Sequence, residues 1–162
     1  MNLISYLKED HERIRKLISK LEQSEDIKKK KLAFTELLIV VRIHMRAEES
    51  AVYAKCLKLK EPETSEMALE GYDDHQLLED YIYKIRASAS DDIWLSRVTT
   101  YCQILQLHIA VEESDFFAEI KSFFSDFDMQ QAAILYLQAK KSHELELRSA
   151  EAFGFSKRFF LN

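Results

Sequence analysis

Four of the five histidines stand at positions 11, 44, 75 and 108. His44 follows His11 by 33 positions, His108 follows His75 by 33, and the second pair repeats the first 64 positions later. His44 and His108 each have a glutamate four residues on, Glu48 and Glu112. Residues i and i+4 lie one turn apart on one face of an α-helix, so each pair sets an imidazole beside a carboxylate. Apolar neighbours (Val40, Val41, Ala51 and Val52; Ile104, Leu105 and Val111) turn those faces toward a core. His11 lies inside an apolar stripe between Leu7 and Ile14, and His75 shares its side with Leu78 and Ile82. Six titratable groups therefore converge on one interior. Buried carboxylates and imidazoles without partners are costly. A cation satisfies them directly, and imidazole with carboxylate is a ligand set suited to one. A metal-free hydrogen-bond network is the alternative, and the duplicated spacing weighs against it.

The elements that must position these groups read as helices almost throughout. Leu3, Ile4, Leu7, His11, Ile14, Leu17, Ile18 and Leu21 form one stripe of helical period, predicting a helix over about 2–22. A second helix is predicted from the polar break Ser24-Glu25-Asp26 to about Leu59, and a third from a cap at Thr64 or Ser65 to about Ser88. A fourth then reaches about Phe123. A fifth, over 126–152, carries Ala133, Leu137 and Leu145 on one side, with Gly154 as its C-cap. Shifting the chain by 64 superposes Asp10-His11 on Asp74-His75 and His44, Glu48, Glu49 and Ser50 on His108, Glu112, Glu113 and Ser114. The chain thus reads as a duplicated helical hairpin. The predicted fold is all-α: an antiparallel up-down four-helix bundle over 1–123, an extra helix over 126–152 and an aromatic tail over 153–162, in a single domain.

Composition narrows the class further. Two glycines and one proline in 162 residues are too few for the turns of a β-sandwich or barrel. Residues 1–11 show no signal-peptide pattern and no apolar run is long enough to span a membrane, so a soluble, cytoplasmic protein is expected. A net charge of −5 speaks against nucleic acid as a partner. Cys56 and Cys102 do not form a disulfide framework and fit buried thiols in a reducing compartment.

The order His, HxxxE, His, HxxxE resembles the hemerythrin-like, or HHE cation-binding, family over residues 1 to about 120. That resemblance implies a non-haem di-iron centre with His11, His44, His75 and His108 as terminal ligands. Glu48 and Glu112 would be bridging carboxylates, with an oxo or hydroxo bridge between the irons. The family's oxygen carriers have a second histidine four residues after the third-helix one, where this chain has Glu79, and HxxxxD in the last motif, where this chain has Glu112. The four-His, two-Glu set is closer to a branch of bacterial di-iron proteins that repair damaged iron–sulfur clusters and handle nitric oxide.

The resemblance implies a small diatomic ligand (O2 or NO) or peroxide, with an electron donor or an iron-centre client protein as further partners. Repair or protection of iron centres under nitrosative or oxidative stress is one version. An O2- or NO-sensing module is the alternative, and iron delivery a weaker one. The chain is expected to be a monomer or dimer. Glu79, Asp10, Asp74 and Tyr101 are candidates for an extra ligand or for groups next to the ligands, against solvent exposure or core packing. Glu49 and Glu113 read as interhelical salt bridges, and His143 as peripheral.

Overall fold

A computed structural model describes residues 2–152, with side chains through Leu147. The expected cap at Gly154 and the tail over 153–162 lie outside the described residues. Helix α1 (Leu3–Gln23) starts at Asn2, whose side chain accepts a hydrogen bond from the Ser5 N–H. Helix α2 (Ile27–Glu48) starts at Asp26, which accepts from the Lys28 N–H. It continues without a break through a π-helical turn, Glu49–Tyr53, into α3 (Ala54–Leu59). Helix α4 (Pro62–Arg86) is capped at Glu61 with Pro62 in its first turn, three or four residues ahead of the expected cap at Thr64 or Ser65. Proline is preorganised for that position because its φ is already helical and its missing N–H would have no intrahelical partner there. Helix α5 (Asp91–Val111), capped by Ser90, passes through a second π-helical turn, Glu112–Phe116, into α6 (Phe117–Phe123). Helix α7 (Asp126–Ala152) completes five helical rods among the described residues.

Helix α1 packs along α2 and α4 along α5, the two hairpins of the repeat. The core falls into two clusters. One holds Ile14, Ile18, Leu37, Val41, Leu78, Ile82, Tyr101 and Leu105. The other holds Leu3, Leu7, Ala51, Val52, Phe116, Phe117 and Tyr136. The histidines lie in a layer between them: His11 falls between Leu7 of one cluster and Ile14 of the other. Apolar packing above and below thus removes water from that layer and fixes helix register.

Helix α7 packs on α1, on α2 and on the first π-turn. Its buried face is Ala132, Ala133 and Tyr136, while Leu137 and Leu145 are exposed. Of Ala133, Leu137 and Leu145, expected on one side of the helix, Ala133 alone is buried: small residues let α7 approach closely, and Tyr136 reaches inward. No helix among the described residues is long and apolar enough to cross a membrane.

Candidate metal centre

The six residues of the repeated motif meet in the buried layer. Their side chains are at most 5% exposed. The rings of His11 and His44 are 4.9 Å apart, as are those of His75 and His108, so each hairpin brings its own two histidines together. Each glutamate reaches across. Glu48 Oε2 lies 3.4 Å from His44 Nε2 and 3.8 Å from His75 Nε2. Glu112 Oε2 lies 3.2 Å from His11 Nε2, and its Oε1 lies 3.5 Å from His108 Nε2. Donor atoms of Glu48, His75, His108 and Glu112 fall within 4.8 Å of one another, and so do those of His11, His44 and Glu112.

Every histidine is held from behind through Nδ1. Glu113 Oε1 is 2.9 Å from His11 Nδ1, and Arg15 holds the other oxygen of Glu113 at 2.7 Å. Glu49 Oε1 is 2.9 Å from His75 Nδ1, and Asp74 Oδ2 is 3.1 Å from His108 Nδ1. The fourth ring differs: His44 Nδ1 is 2.8 Å from the Tyr136 hydroxyl, which donates to Asp10 at 2.5 Å and so accepts from the imidazole. All four rings therefore donate through Nδ1, which leaves the neutral Nε2 of each as a lone pair facing inward. His75 and His108 point those atoms at one another across 3.2 Å. His11 Nε2, His44 Nε2, Glu48 Oε1 and Glu112 Oε2 are buried with no hydrogen-bond partner. Among the described residues, the hydroxyl donor aimed into the cluster is Tyr53, 2.7 Å from Glu112 Oε1 and 3.3 Å from Glu48 Oε2. An assembly of acceptors with so few protons lacks a positive charge, and the donor set fits a metal cation.

The electrostatics agree. Burial, with Glu112 beside it, pushes the Glu48 carboxyl well up. Burial works in the same direction on Glu112, but His108, His11 and His44 hold it well below its ordinary value. One carboxyl of the pair thus keeps a proton and the other its charge when only protein groups surround them. Burial, reinforced by His11, depresses His44 to about 4, so that ring is neutral at pH 7. For His108, burial is outweighed by Glu112 and Asp74, and its pKa rises. Against the cost of burial, His44, Lys140 and Tyr136 keep the Asp10 carboxyl well below the usual range.

The sequence profile of the hemerythrin HHE cation-binding domain matches residues 2–120. The chain belongs to that family. A DNA nickase from Nostoc sp. (strain PCC 7120 / SAG 25.82 / UTEX 2576) is 28% identical over 149 residues, which cover 91% of this chain and 41% of the nickase. The chain therefore spans about two-fifths of that relative's length. No solved structure matches it.

Among the four peripheral candidates of this HHE domain, Asp10 and Asp74 adjoin the histidines, as described. Glu79 does not join the cluster. It forms a two-pronged pair with Arg42, at 2.8 and 2.7 Å, because its position on α4 faces α2 rather than the interior. Tyr101 takes the core-packing alternative: it packs edge-on against Phe34 in the apolar cluster, and its hydroxyl meets no hydrogen-bond partner. Seven residues before His108 is two turns down the helix, which places it below the ligand layer. His143 pairs with Glu146 on the surface of α7.

Sequence reasoning missed the backing roles of Glu49 and Glu113, and missed Tyr53 and Tyr136. The π-turns explain Tyr53. In an α-helix a residue five positions on points about 140° away. Here the N–H of Ala54 bonds to the carbonyl of Glu49, and that of Phe117 to Glu112, in the i→i+5 pattern. The wider turn brings Tyr53 back to the face of Glu48 and Phe117 to the face of Glu112. Matching Glu-Glu-Ser triplets 64 residues apart were the available signal. Nothing local marks Tyr136, whose role depends on where α7 docks.

Proposed function

We propose that this chain is a non-haem di-iron protein that binds or reacts with a small ligand such as O2, NO or peroxide. His11 and His44 would hold one iron and His75 and His108 the other, with the Glu48 and Glu112 carboxylates shared between them. The observation that carries the reading is the ring of inward lone pairs: four imidazole Nε2 atoms and two carboxylates, backed at every Nδ1 and short of protons. Bound iron would supply coordination positions for the ligand and exchange between ferrous and ferric states. The protein residues do the rest. Backing partners fix the imidazole tautomers, the two apolar clusters exclude water, and Tyr53 offers a hydroxyl proton at the edge of the cluster.

Protection or repair of iron centres under nitrosative or oxidative stress is the role this arrangement serves, in the cytoplasm, with an electron donor or a damaged iron protein as partner. A sensing role is the second reading, favoured by the direct link from His44 through Tyr136 to α7, which can pass a change at the centre to the surface. DNA cleavage is not carried over from the Nostoc relative. An excess of acidic residues disfavours approach to a phosphate backbone.

Metal content and visible absorption of protein from iron-replete cells test the proposal, alongside a His44→Ala/His108→Ala variant. The expected result is about two irons per chain and an oxo-to-iron charge-transfer band, both lost in the variant. Zinc at about one per chain, or no metal, leaves the bundle standing and ends the redox reading.

A further inference from the structure

The 64-residue repeat makes the two sides of the centre directly comparable, and they are lined differently. Tyr53 corresponds to Phe117, and Gly71 to Leu7. Phe117 lies flat on His11, with ring planes 12° apart and centroids at 5.6 Å. Leu7 packs with it in the same apolar cluster and is fully buried. Helix α7 then covers this side, with Tyr136 against His44 and Lys140 on Asp10. On the other side Tyr53 tilts over His75 with centroids at 5.2 Å, and no helix takes the place of α7 among the described residues. The equivalent of buried Asp10 is Asp74, whose side chain is 47% exposed.

Gly71 is the position that permits this arrangement. It sits inside α4, where glycine costs about 1 kcal/mol relative to alanine. A Cβ there would fall 2.5 Å from the Tyr53 Cζ and 2.6 Å from its hydroxyl oxygen. The missing side chain leaves room for the phenol, and beside it a cavity of about 40 Å³ between α4 and α5 is lined by Tyr53, Gly71, Asp74, His108, Val111 and Phe116 among others. A cavity needs only about 10–15 Å³ of such space to hold a water, so this one admits a small ligand of a few atoms. On the opposite side a larger hollow, about 200 Å³, reaches Asp10, Arg13 and Lys140 but is not lined by a histidine.

Resting on the di-iron reading, we propose that ligands of two or three atoms enter on one side only, through the Gly71 opening between α4 and α5. There they meet the His75–His108 half of the centre, with the Tyr53 hydroxyl as the positioning donor. The Phe117, Leu7 and α7 side is closed. The repeat supplied two equivalent faces. Helix α7 plugs one, and the Gly71–Tyr53 pair opens the other.

The test uses iron-loaded full-length protein, with azide for the ferric form and NO for the ferrous form. Val111→Trp fills the rim from an exposed position and Arg13→Trp does the same over the opposite hollow. Val111→Trp is expected to slow association of both probes about tenfold or more, with iron content and thermal midpoint unchanged, while Arg13→Trp leaves the rates alone. Tyr53→Phe keeps the ring and removes the hydroxyl. It should retain the iron, weaken azide about fivefold and shift the azide-to-iron charge-transfer band, which a purely structural role would not move. Unchanged association in Val111→Trp, slowing in Arg13→Trp instead, or azide affinity and band unaltered in Tyr53→Phe each overturn the inference while leaving the di-iron reading intact. A wild-type chain that takes up no iron overturns the di-iron reading and this inference with it.

Discussion

The His11–His44 and His75–His108 halves of the centre descend from one pattern but are held in different ways. In the first, Asp10 is buried, and Tyr136 stands between it and His44, with Lys140 behind. In the second, Asp74 meets His108 directly and is half open to solvent. One hydrogen-bond chain is sealed by a fifth helix, and the other ends in water. Identical ligand types on a repeated backbone therefore need not give two identical sites. What surrounds the ligands sets how rigidly they are held, how they titrate and what can reach them.

Removing a shared group should break the comparison most severely. Glu112 contributes to both donor clusters, so Glu112→Ala should take iron from about two per chain to near none, whereas His108→Ala should spare the first half and keep about one. Iron analysis of the two variants side by side checks this, and equal losses would show that the halves are not separable.

A smaller effect is expected with pH in metal-free protein. An unfolded histidine titrates near 6.5 and the buried His44 near 4. As pH falls through that window the unfolded chain binds this proton first, so His44 lowers stability, by an amount approaching about 3 kcal/mol at the acid end. The contribution returns as pH rises. Glu48, whose pKa is raised, works in the opposite direction. Urea unfolding at several pH values should show a shallower acid-side decline in His44→Gln than in the wild type.

Tyr136→Phe strands the His44 Nδ1–H without an acceptor and takes a donor from Asp10, at a cost of about 1–3 kcal/mol. Asp74→Asn, the counterpart change in the open half, should cost less than about 1 kcal/mol because water replaces the lost contact. Comparable unfolding midpoints for the two variants would remove the distinction between sealed and open halves. The smallest effect is expected at Glu79. Glu79→Gln weakens its partly exposed pair with Arg42 by about 1 kcal/mol or less and should leave iron content unchanged. A loss of iron would restore Glu79 to the centre.

The fold and the convergence of six groups were legible because both rest on local periodicity. A stripe at i, i+3 and i+4 commits a segment to a helix and to one buried face, and His44 with Glu48 or His108 with Glu112 needs only that geometry. Glu79 and Tyr101 show where periodicity stops helping. Both lie at helical spacings from a histidine, yet one leans toward Arg42 on α2 and the other drops a layer into the apolar core. The π-turns were illegible for a related reason: a single widened turn leaves the apolar pattern intact while re-aiming Tyr53 and Phe117.

The sequence by itself determined the helices, the duplication, the inward imidazoles and carboxylates, and hence the demand for a cation, since each follows from residue type and spacing along one chain. Tertiary structure alone decided which partner backs each Nδ1, that α7 closes one side with Tyr136, and that Gly71 on α4 yields to Tyr53 from the preceding rod. Those contacts join residues far apart in sequence, 92 positions in the case of His44 and Tyr136. They depend on how helices dock and how much room one missing side chain leaves, quantities that no local spacing encodes.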